Sequence, residues 1–184
     1  MAQHFVFKES PVSLFLFSNT KMAPVWLVVR LYVGYVWLSA GWSKLNNASW
    51  TGAEAGSSLT SFLTRALEKT TGSHPDVAMW YGDFLQNVVL PNAVVWSYGI
   101  AWGEFLVGLF LILGLFTGIV AFLGLFMNFN FMLAGTLSSN PILFVLGIFL
   151  VLAWKVAGFL GLDRYILPRL GTPWQVGTFF KPRT

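Results

Sequence analysis

The sequence predicts an all-α integral membrane protein: a four-transmembrane-helix bundle with a helical extramembrane cap between helices 1 and 2. Three observations carry that expectation. Four long apolar segments each reach about twenty residues, enough to cross a ~30 Å hydrocarbon layer. Only 10% of the 184 residues are charged while 56% are hydrophobic, and the mean hydropathy is +0.69. A soluble domain carries about a quarter charged residues to wet its surface, so this chain has too few for a globule in water. Aromatic residues make up 17% of the chain, nine of them Trp, as suits a protein with two headgroup interfaces.

Residues 1–23 read as a cytoplasmic, interfacial segment. Phe5, Phe7, Phe15 and Phe17 are interspersed with polar residues, and Val12 to Phe17 is too short to span. No small-residue cleavage site follows, so the layout of a signal peptide is missing. The first span is residues 24–45, with Pro24 at a first-turn position where its missing N–H costs nothing. Residues 46–92 form the one sizeable extramembrane loop. Within it Leu59, Phe62, Leu63, Ala66 and Leu67 recur at the spacing of an amphipathic helix. A second short helix is expected from Pro75 to Val89, ending before Pro91, and Trp50, Trp80 and Tyr81 would lay this cap against the headgroups.

Three more spans follow at residues 93–116, 118–137 and 141–162, leaving 163–184 as a cytoplasmic tail. The turn Phe116-Thr117-Gly118 and the break Ser138-Ser139-Asn140-Pro141 are short enough to force antiparallel neighbours. Lys and Arg near the span ends set the orientation. Lys8, Lys21, Arg164, Arg169, Lys181 and Arg183 flank the termini, whereas the loop offers Arg65 and Lys69 against Glu54, Glu68, Asp76 and Asp83. Both termini are therefore expected in the cytoplasm of a multi-pass cell-membrane protein, with the cap outside.

Composition also removes several chemistries. There is no cysteine, so this chain alone cannot supply a disulfide, a thiolate metal site or thiol catalysis. His4 and His74 sit at a terminus and in a polar loop, so neither metal nor haem is expected. The net charge of +4 forms no basic stripe with interleaved aromatics, which argues against nucleic acid.

The chemistry-bearing residues are the ionisable ones inside the spans. Arg30, Lys44, Glu104 and Lys155 fall within or at the ends of apolar segments, where each costs a few kcal/mol or more unless paired or hydrated. Glu104 lies halfway along its span, and Arg30 and Lys155 each lie roughly 9 Å from the cytoplasmic ends of theirs. The expected arrangement is one cluster of Arg30, Glu104 and Lys155 inside the bundle, net positive and able to polarise the carbonyl oxygens of a neutral ring. Arg30, Gly34, Trp37, Gly41 and Lys44 share one helical face, with small residues beside the charges. Asn128 shares a face with Gly124 and Gly135 and is preferred over Asn130. Trp42 and Trp102 join Lys44 and Asn128 as candidate ligand contacts. Against this stands a plainer account, in which Arg30 and Lys44 snorkel to the interfaces and Asp163 with Arg164 forms an interfacial clamp.

The stretches RLYVGYVWLSAGWSKL (Arg30 to Leu45), GEFLVGLFLILGLFT (Gly103 to Thr117) and MNFNFMLAG (Met127 to Gly135) resemble the DoxX/DoxD family. So do the S-x-N-P break at Ser138 to Pro141 and A-W-K-x-A-G-x-x-G-L-D-R-Y-x-L-P from Ala153 to Pro168. The tail L-G-T-P-W-Q-x-G, Leu170 to Gly177, is similar to the DoxD branch, and the resemblance covers roughly residues 30–177. It implies a membrane subunit of thiosulfate:quinone oxidoreductase, which couples two thiosulfates into tetrathionate and passes two electrons to membrane quinone. The implied partners are a second small subunit resembling DoxA, membrane lipid, thiosulfate or a related anion, and a terminal oxidase. The implied cofactor is a non-covalently bound quinone, with thiosulfate placed outside near Lys44 and the cap. Two other classes stay open. One is a non-catalytic anchoring or assembly subunit of a membrane redox complex. The other is a small transporter, which the absence of internal repeats weighs against.

Overall fold

The computed structural model describes residues 8–172 and 175–180. His4, Phe5, Phe7, Lys181 and Arg183, and the Pro173-Trp174 step of the tail motif, lie outside the described residues. The chain forms ten α-helices among those residues: α1 Pro11–Ser18, α2 Ala23–Leu45, α3 Ala48–Thr51, α4 Ser57–Glu68, α5 Met79–Phe84, α6 Ala93–Leu113, α7 Thr117–Leu133, α8 Asn140–Leu152, α9 Trp154–Ala157 and α10 Asp163–Leu170. A two-residue antiparallel ladder follows, with Gly171 opposite Val176 and Thr172 opposite Gln175.

Helices α2, α6, α7 and α8 pack into a bundle around Trp37, Val107, Leu111, Val120, Ala121 and Leu150. The closest pair is α2 with α6, and glycine makes it so. A Cβ on Gly41 would land on the backbone of Phe105, and one on Gly108 would land on the backbone of Leu38. With no side chain between them the two backbones meet directly, the device by which apolar helices gain close van der Waals contact. Gly41→Ala is therefore expected to lower stability by about 1–3 kcal/mol, the usual cost of overpacking. Thermal denaturation in detergent reads this directly, and an unchanged midpoint would show that the pair tolerates separation.

Two helical stretches, Thr20–Leu45 and Met79–Leu113, are long and apolar enough to cross a membrane. The second differs from the expectation of a short helix ending before Pro91. The chain stays helical from α5 through a π-type turn at Leu85–Val89 and a 3-10 turn at Leu90–Asn92 into α6. Pro91 has no N–H to give and is accommodated by tightening the ladder rather than ending it. Two shorter apolar helices, Thr117–Leu133 and Asn140–Leu152, complete the bundle.

The last bundle helix also departs from the sequence reading, which ran it to residue 162. It stops at Leu152, where Ala153 takes ψ 13°, and continues only as the single turn of α9. The physical reason is a set of contacts that a straight helix would carry away. Leu162 and Asp163 donate their backbone N–H groups to the carbonyls of Leu113 and Gly114, at 3.1 and 2.8 Å. At this end α1 is fastened by Trp26, whose indole N–H donates to the Leu16 carbonyl at 2.7 Å, and by Phe17 stacked on Trp26 and Phe149.

The cap lies over the opposite end. Its α4 buries Leu59, Leu63 and Ala66 against Tyr81, Leu85, Val89 and Ala134. Lys69 donates to the Gly135 carbonyl at 2.7 Å, and the Tyr81 hydroxyl donates to the Asn130 carbonyl at 3.0 Å. Both bonds tie the cap to the end of α7.

Candidate functional site

The α2–α6 register fixed by Gly41 and Gly108 decides which charges meet. Glu104 precedes Phe105, the residue on which Gly41 sits, and Lys44 is one turn beyond Gly41. The Lys44 ammonium consequently pairs with Glu104 Oε2 at 2.5 Å, the only ion pair among the described residues. Glu104 is 2% exposed. The ammonium also lies 5.0 Å from the centre of the Trp50 ring, so its other face is covered by π-density from α3.

This pair forms part of the wall of a cavity of about 340 Å³ under the cap. Trp37 and Ala40 line it from α2, Phe62 from α4, Phe131 from α7, and Thr136, Ser138, Ser139 and Asn140 from the break before α8. Ser138 holds φ 41°, a left-handed conformation uncommon for a residue with a side chain. Asn140 is fixed from behind. Its amide donates to the Thr136 carbonyl at 2.9 Å, and its side-chain oxygen accepts from the Asn128 amide at 3.2 Å. Asn128 is 1% exposed, and its own oxygen has no partner. The cavity thus offers a cation, a carboxylate, an amide and hydroxyls on an otherwise aromatic and aliphatic wall. That composition and size suit a ring-sized ligand with polar edges.

The structure separates the expected cluster of Arg30, Glu104 and Lys155. Arg30 is 1% exposed but lies at the other end of α6, about 10 Å from Glu104 along the helix axis. Its guanidinium donates to the carbonyls of Leu111 and Ile112, at 2.7 and 3.2 Å, and of Leu160 at 3.0 Å. Arg30 therefore caps the carbonyl end of α6, where unpaired oxygens and the helix dipole both favour a cation. Asp163 does the converse for α7. Its two oxygens accept from the Phe116 and Thr117 N–H groups at 2.6 and 2.9 Å. It is buried, so the interfacial clamp expected of Asp163 with Arg164 is instead a cap, and Arg164 lies over the Phe159 ring at 5.0 Å. Lys155 is exposed, because the break at Ala153 turns it away from the bundle interior.

Trp42 and Trp102 also lie outside the cavity. They are 59% and 49% exposed and pack around Phe105, at 6.1 and 5.8 Å between ring centres. Asn128 reaches the site only through Asn140. Of the seven residues singled out from the sequence, the structure brings Lys44 and Glu104 to the cavity wall and Asn128 directly behind it. Sequence reasoning treated Asn140 and Ser138 as a linker break. The signal for them was present in the S-x-N-P motif, read for its turn geometry rather than its side chains. Trp37 was on the charged face and Trp50 in the cap, with nothing to bring them together. Among the described residues no three His, Cys, Asp or Glu side chains gather as metal ligands would.

The family model described as DoxX matches residues 25–137, which takes in all but the first two residues of α2, the cap, α6 and α7. No curated protein and no solved structure matches the chain.

Proposed function

The chain belongs to the DoxX family of membrane proteins, and from that premise we propose that it is the membrane subunit of a thiosulfate:quinone oxidoreductase-like complex, with the quinone head group in the cavity under the cap. The observation that carries this reading is the Lys44–Glu104 pair on the wall of a ring-sized, largely apolar cavity. Two electrons and two protons convert a quinone to a quinol. The Lys44 ammonium supplies positive charge beside a ring oxygen as electrons arrive, and Asn140 supplies a neutral donor. Glu104 passes protons to the reduced oxygens, a task that needs a carboxyl within hydrogen-bond reach. The electrons come from the coupling of two thiosulfates to tetrathionate. Because the chain has no thiol, any covalent sulfur intermediate forms on a partner subunit. In this reading all four bundle helices span the membrane, both termini are cytoplasmic, and the cap faces outward. The short α7 and α8 are accommodated by local thinning of the bilayer or by snorkelling flanks.

A second reading uses the same bond differently. Lys44 to Glu104 ties α2 to α6, and in a non-catalytic anchoring subunit it does nothing more. Extraction of the gently purified complex decides between them. The redox reading expects bound quinone near one per chain and thiosulfate-dependent reduction of a quinone analogue. Neither quinone nor turnover, with co-purifying partners retained, would leave the anchoring role.

A further inference from the structure

A second cleft lies at the end of the bundle away from the cap, where α9, α10 and the short ladder meet. It has a volume of about 560 Å³, and Lys155 and Arg164 both line it. Both are exposed, and neither forms an ion pair among the described residues. All seven acidic residues of the chain are among those described, so the balance of charge here is legible. The one carboxylate lining the cleft is Asp163, and both its oxygens already accept from the start of α7. Among the described residues, then, neither cation of the cleft has a carboxylate in contact with it.

Its walls are not those of a site for a free ion. Phe159, Leu167 and Val176 line it, and Leu160, Tyr165 and Leu170 lie exposed on the surrounding segments. Cations beside apolar surface, at the end of a membrane bundle, match an amphiphile with an anionic head. An Arg fork and a Lys point charge together suit a phosphate, which offers several acceptor oxygens on one centre. We infer that the cleft between α9 and α10 binds the phosphodiester head of an anionic membrane phospholipid through Lys155 and Arg164, with its acyl chains along Phe159 and Leu160. This goes beyond the redox reading and does not depend on it. Basic pockets at membrane boundaries select anionic lipid because each cation near the surface strengthens binding about fivefold.

Native mass spectrometry of the full chain in neutral detergent, titrated with phosphatidylglycerol or phosphatidylcholine, tests the assignment. Phosphatidylglycerol is expected to bind preferentially. The K155Q/R164Q variant is expected to lower its apparent affinity about 25-fold, the product of two such cations. Arg65→Gln, a neutralised cation on the cap, is expected to leave it unchanged, and K155R/R164K, which keeps both charges and exchanges the fork and the point charge, to keep it within about twofold. Equal binding by K155Q/R164Q would overturn the proposal, as would equal loss in both double variants. Displacement of the lipid by millimolar inorganic phosphate would assign the cleft to a free oxyanion and overturn the lipid assignment.

Discussion

Glu104→Gln is expected to slow thiosulfate-dependent quinone reduction by about a hundredfold, the lower range for loss of a positioned acid–base group. Gln keeps the volume of Glu and leaves an oxygen to accept from Lys44, so the 2.5 Å contact between α2 and α6 survives as a weaker hydrogen bond. What it loses is the ability to take and release a proton. The variant should therefore fold, retain the cavity and still bind quinone, while turnover falls. Removing Lys44 instead would leave a buried carboxylate unpaired, and destabilisation would obscure any effect on chemistry. Initial rates with a quinone analogue, alongside the quinone content of the purified variant, separate the two quantities. Wild-type turnover in Glu104→Gln would end the proton-relay role.

Arg30→Leu is expected to cost about 3–5 kcal/mol of stability, since each acceptor left without its donor costs about 1–3 kcal/mol. Three carbonyls, those of Leu111, Ile112 and Leu160, lose the donor that a guanidinium only 1% exposed supplies to them. Arg30→Lys should fall between, since an ammonium is a point charge and cannot span three acceptors as a planar fork does. A lower denaturation midpoint with rates per folded molecule close to wild type is the expected signature of both variants. Loss of turnover at an unchanged midpoint would instead return Arg30 to the chemistry of the cavity.

The contrast between these two residues shows what could be read from the chain. Burial of charge was legible for Arg30 and Glu104, because an ionisable residue well inside an apolar run has few places to go. Their partners were not legible. Depth counted from span ends places Arg30 and Glu104 near each other, but the α2–α6 register depends on where Gly41 and Gly108 let the backbones touch. Arg30 finds carbonyl oxygens at a helix end, and backbone acceptors carry no letter in a sequence. Lys155 was misplaced for a different reason. Its apolar surroundings read as an unbroken helix, whereas the contacts of Leu162 and Asp163 with the α6–α7 turn stop that helix at Leu152. Asn140 was visible but read as punctuation, because Ser, Asn and Pro in succession announce a turn before they announce a site.

The caps at the α6–α7 turn bear on how the protein is made. The acceptors of Arg30 lie 81, 82 and 130 residues further along the chain. A ribosome delivering α2 to the membrane therefore releases a cation that nothing yet synthesised can satisfy. Leu111 and Ile112 arrive with α6, but Leu160 and the Asp163 cap come only after α8 has been laid down. Until then the first helix has reason to stay near water or near the insertion machinery rather than settle in lipid. Maturation of the bundle is thus tied to completion of nearly the whole chain. A nascent chain arrested before residue 160 would leave that arginine short of one of its three acceptors.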